Sequence, residues 1–133
     1  MEFALVLIPF MLLLLGIFDM GRGIYTYNAV SQAAREIARV SSIDMTRGYT
    51  PVGTSPDSAD VKSTQKALTP GLTDAGIDID CVDVEDDEPD EDIGCRPGDF
   101  VRVRIEVQFA PITPLLGQLG PFELASVSHV EIQ

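Results

Sequence analysis

Few side chains in this chain could do chemistry: two cysteines, a crowd of acids between them, one histidine and one glutamate in a greasy setting. Cys81 and Cys95 enclose 13 residues, among them Asp83, Glu85, Asp86, Asp87, Glu88, Asp90, Glu91 and Asp92. Their even number, close spacing and small surrounding domain predict a disulfide. In the chain-entropy account such a bridge stabilises by about 3 kcal/mol. That offsets the mutual repulsion of eight carboxylates in so short a loop. The same acids could offer oxygens to Ca²⁺. However, no Asp-x-Asp-x-Asp-Gly leads to a closing Glu, so a solvated acidic loop is expected, with Ca²⁺ the only cofactor it suggests. His129 is the sole histidine, and two cysteines with one histidine cannot complete a structural zinc site. Phosphate-cradling glycines and a nucleophile elbow are missing from the sequence, which therefore predicts no enzyme.

Glu2 is the other notable acid, because it opens an otherwise uncharged run from Met1 to Phe18. A carboxylate in hydrocarbon is costly and needs a partner or a wet interface. Two readings follow. Glu2 sits among headgroups in the first helical turn, where it suits the helix dipole, or it pairs with the Met1 amine of a neighbouring chain. The run from Phe3 to Phe18 gives about 24 Å of helix, slightly short of the ~20 residues that span a bilayer. Met20, Ile24 and Tyr25 could lengthen it, with Tyr25 and Tyr27 at the interface. A cleaved secretory signal needs a basic leading region and a small-residue cleavage site, and neither is here.

The net charge of −12 is unevenly spread: residues 1–50 are neutral and the excess lies downstream. So acidic an outer part argues against nucleic acid and anionic membrane surfaces as partners. The first basic residue is Arg22, followed by Arg35, Arg39 and Arg47. Taken alone, these would keep the C-terminal part in the cytoplasm, whereas a disulfide belongs outside. A processed chain that has lost a basic leader reconciles the two.

These residues need three regions to position them: an apolar anchor over 1–20, an amphipathic continuation of the same helix over 21–47, and a small acidic ectodomain over 48–133. Gly23, Tyr27, Val30, Ala34, Ile37 and Ser41 recur at steps of four and three, a seam for the chain's own domain, for neighbouring helices, or for both. Gly48 and Pro51 stop the helix. Pro9 lacks an amide donor, so a kink or unwound stretch is expected near Leu5–Pro9. A short helix is expected over Asp57–Leu68, capped by Ser55 or Asp57, and a strand at Ile77–Cys81. Val101–Phe109 alternates apolar and polar residues, and a last strand runs over Phe122–Ile132. The fold class is α+β, a long N-terminal helix covered by a small antiparallel sheet.

The segments Glu2-Phe3-Ala4-Leu5-Val6-Leu7-Ile8-Pro9, Gly16-Ile17-Phe18-Asp19-Met20-Gly21-Arg22 and Ala33-Ala34-Arg35-Glu36-Ile37-Ala38-Arg39 resemble the TadE-like proteins, pilin-like subunits of tight-adherence, type IV pilus-like machinery. Thr113-Pro114-Leu115-Leu116-Gly117 before a strand is similar too; the resemblance does not extend to the acidic loop. The resemblance implies a pilin-like fold and a precursor cut by a prepilin peptidase. That precursor would be held as a single pass in the cytoplasmic membrane and extracted by an ATPase and platform proteins into an extracellular homo-oligomeric helical filament. It makes Glu2 the acid that neutralises a neighbour's terminal amine, although the family pattern puts that acid fifth in the mature chain. The expected assembly residues are Glu2, Phe3, Leu5, Pro9, Phe10, Leu13, Phe18, Tyr27 and Ala34. A minor pseudopilin that primes or caps another filament, and a membrane-tethered acidic binding module, are the alternatives.

Overall fold

The computed structural model describes residues 2–44, 47–49, 51–82, 95, 98–113, 117–118 and 120–132, without the side chains of Glu2 and Ala4. The acidic residues 83–92 and the calcium reading attached to them lie outside the described residues, as do the side chain of Glu2 and residues 114–116.

Helix α1 spans Glu2–Asp44, 43 residues, or about 65 Å. It passes through Pro9 as continuous α-helix, so the unwound stretch expected near Leu5–Pro9 is absent. Proline removes one hydrogen bond from a long ladder, and the bonds on either side hold the geometry. Beyond Asp44 the Tyr49 N–H donates to the Asp44 carbonyl at 3.0 Å around Gly48, whose φ of 81° suits glycine. Helix α2 spans Pro56–Leu68, with Pro56 in its first turn. Its cap is Ser55, not Asp57: the Ser55 Oγ accepts from the Ser58 N–H at 3.0 Å.

A 3₁₀ turn at Asp74–Gly76 leads into three strands, β1 (Ile77–Val82), β2 (Phe100–Phe109) and β3 (Phe122–Glu131). They form one antiparallel sheet in the order β1-β2-β3, with Ile77 opposite Ile105 and Phe109 opposite Phe122. Gly76 allows the turn to lie against β2, because a Cβ there would stand 2.3 Å from the Glu106 carbonyl oxygen. The period-2 pattern of β2 is realised from Val101 to Val107: Val101, Val103, Ile105 and Val107 are buried, and Phe109 at the end is half-buried. Across from them lie Val30, Ala33, Ala34, Ile37 and Ala38 of α1, the helical half of the same core. After β3 the chain stays in register: the Ile132 N–H donates to the Asp99 carbonyl at 2.9 Å, and the Ile132 side chain is buried.

The seam along α1 differs from expectation at one position. Tyr27 is 51% exposed, and Thr26 is buried in its place. The covered stripe is Asp19, Gly23, Thr26, Val30, Ala33/Ala34, Ile37, Ser41 and Asp44, in which Gly23 is half-covered. Apolarity favoured Tyr27, but the sheet sets the phase. A residue one step on is turned by about 100° around a helix of 3.6 residues per turn, which carries Tyr27 off the covered face.

Candidate functional site

The surface that needs explaining is the first half of α1. From Phe3, 80% exposed, to Phe18, 70% exposed, no side chain with a described environment is buried. Leu5, Phe10 and Leu13 are all exposed, and Pro9 is too. A helix this apolar on every side is not stable in water alone and belongs inside a bilayer or among other helices. It is the one helix among the described residues long and apolar enough to cross a membrane.

The covered part begins abruptly at Asp19, which is only 3% exposed. Its carboxylate accepts from the Ile112 N–H at 3.0 Å, the Thr113 N–H at 2.7 Å and the Thr113 hydroxyl. The segment leaving β2 is thereby fastened to the helix where the apolar half ends. Arg22 completes the junction: its guanidinium lies 3.5 Å from the Asp19 carboxylate and stacks 5.4 Å from the Phe109 ring centre. The ring lies over Gly23, where a Cβ would stand at ordinary van der Waals distance, 3.8 Å.

A second aspartate does the corresponding work at the far end. Asp44 is buried, and its Oδ2 accepts from the Gly53 N–H at 2.9 Å and the Ser58 hydroxyl at 2.8 Å. Lys62 reaches the Gly53 carbonyl at 2.7 Å; burial pulls its ammonium below the usual lysine range, and the Asp44 and Asp74 charges oppose that. The two aspartates therefore clamp the ectodomain at both ends of the seam, and the apolar half is held out beyond it.

Neither clamp is among the residues the sequence singles out as a site. A signal was available: Asp19 lies four residues before Gly23 and Asp44 three after Ser41, in phase with the small-residue stripe. Acids on a helix's covered face must find donors. Of the expected assembly residues, those from Phe3 to Phe18 are exposed together on one rod, and Tyr27 is exposed farther along. Ala34 is instead fully buried against the chain's own sheet, which leaves it no surface for a neighbour.

Cys81 and Cys95 are joined in a disulfide with a Cα–Cα distance of 5.5 Å, as their spacing predicted. His129 lies on β3 opposite Arg102, exposed. Among the described residues, no three His, Cys, Asp or Glu side chains gather to hold a metal.

The family model described as TadE-like protein matches residues 1–39, which cover the apolar half of α1 and most of its seam. No curated protein and no solved structure gives a match.

Proposed function

We propose, from a first helix that is TadE-like over residues 1–39, that this chain is a structural subunit of a Tad-type, type IV pilus-like filament. The helix anchors the chain in the membrane before assembly and forms the filament core afterwards. The observation that carries this reading is the rod from Phe3 to Phe18, apolar on every side and held clear of its own ectodomain. Taking each such side chain out of water is worth about 1.5–3 kcal/mol, whereas moving it from lipid into a bundle gains far less. Extraction therefore needs an outside energy source, an assembly ATPase and its platform, while a finished fibre in water persists.

Phe3, Leu5, Phe10, Leu13 and Phe18 are the packing residues of this reading. Pro9 bears on the mutual fit of the rods, and Glu2 supplies a charge for a neighbour's terminal amine. The acidic ectodomain forms the outer surface, outside the cell, where its disulfide is stable. Electron microscopy of material sheared from cells tests the proposal. Fibres composed of this chain are expected. Chain found only in the membrane fraction, with no fibres, would refute it. A Glu2→Ala variant then isolates the pairing: assembly is expected to fail, and normal fibres would return Glu2 to a headgroup role.

A further inference from the structure

We propose that the base of the ectodomain is itself a membrane contact: a collar of Met20, Ile24, Ile112 and Phe122 sits in the outer lipid interface around the emerging helix. This rests on the reading of α1 as a membrane span. The run from Phe3 to Phe18 supplies about 24 Å of apolar helix, against the ~30 Å of a bilayer's hydrocarbon core. About 6 Å of apolar surface is missing, roughly four residues of helix.

Met20 and Ile24 can extend the run, but Asp19 and Arg22 interrupt it. The fold changes that. Asp19 is withdrawn beneath the Ile112–Thr113 segment, where three donors satisfy its carboxylate. The segment that hides it presents the Ile112 side chain outward, 67% exposed, at the level of Asp19. Met20 and Ile24 are exposed on the same turns of α1.

Phe122 enters from the other side. It pairs with Phe109, whose ring lies over Gly23, and an apolar groove runs between Gly16, Met20, Gly23, Ile24, Phe109 and Phe122. The apolar surface of the rod thus continues without a break onto the sheet's end. Arg22 remains half-exposed at this level, its guanidinium held between the Phe109 ring and the Asp19 carboxylate, so its charge is met within the fold at the depth of the interface. Lipid fits this arrangement better than a soluble partner, because the collar supplies about the depth the span lacks and is continuous with it.

The chain has no tryptophan, so single tryptophans report position cleanly. Full-length Ile112→Trp, Phe122→Trp, Phe18→Trp and Val127→Trp would be reconstituted in phosphatidylcholine vesicles with bromine at shallow acyl positions. Val127 lies five residues up β3 from Phe122 and is exposed. Blue-shifted emission at 112 and 122 that is lost to bromolipid, with Val127→Trp unquenched, is the expected result. Quenching of Phe18→Trp alone would overturn the collar while leaving the span intact. An unquenched Phe18→Trp would overturn the span and the collar with it. Emission at 112 and 122 that blue-shifts with protein density but ignores bromolipid would assign the surface to a second copy and refute the lipid contact.

Discussion

Replacing Asp44 with alanine removes the acceptor for two buried donors, the Gly53 N–H at 2.9 Å and the Ser58 hydroxyl at 2.8 Å. A buried donor left without a partner costs about 1–3 kcal/mol, so the pair predicts a loss of about 2–6 kcal/mol. Against a typical domain stability of about 5–15 kcal/mol, that is a large fraction. Both bonds go to the same oxygen, Oδ2, which makes a sharper prediction. Asparagine can place its single oxygen there, so Asp44→Asn should retain most of the stability and Asp44→Ala little. Ser58→Ala should cost about 1 kcal/mol, because Asp44 keeps Gly53 as a donor. In a double-mutant cycle the Asp44→Ala and Ser58→Ala effects should fall short of additive.

The assay is urea unfolding of the full chain in detergent micelles, followed by near-ultraviolet tyrosine signals and amide exchange. The micelle-embedded half of α1 would otherwise dominate a helix signal. Equal midpoints for Asp44→Ala and the parent would refute the clamp, and additive single effects would refute the shared-oxygen geometry.

Three further outcomes follow. Asp19→Ala should speed exchange of the Ile112 and Thr113 amides by at least about tenfold while leaving the Val103 amide protected, since only the base of the sheet is released; equal exchange there would contradict it. Ala34→Leu should cost about 1–3 kcal/mol by overpacking the seam, whereas Tyr27→Ala should stay within about 0.5 kcal/mol, both read from urea midpoints. Cys81→Ser combined with Cys95→Ser should cost about 3 kcal/mol, and more at low salt, where the acids of the opened loop repel unscreened.

The long helix, the strand β2 and the disulfide were legible in the sequence for physical reasons. Sixteen apolar residues in a row, strict alternation from Val101 to Phe109 and two lone cysteines each leave few structural choices. The phase of the seam was less legible. Steps of four and three fit Tyr27 as well as Thr26, and only the position of the sheet decides between them. Pro9 leaves the helix unbroken, because the ladder on either side absorbs the loss of one hydrogen bond. The aspartate clamps were hidden because their partners are backbone N–H groups and hydroxyls distant in sequence: Asp19 meets Thr113, 94 residues on, and Asp44 meets Ser58, 14 on. Such donors leave no motif. The exposed rod, by contrast, follows from composition alone, because the rest of the chain offers too little apolar surface to cover it.

If the proposed function holds, the rod from Phe3 to Phe18 is the part through which copies of this chain hold together outside the membrane. A helical reconstruction of the fibres by electron cryomicroscopy tests it most directly. The expected map shows a central bundle of α1 helices with Phe10, Leu13 and Phe18 buried between neighbours and the sheets facing solvent. Fibres joined through the sheets, with the apolar halves of α1 outside the core, would contradict it.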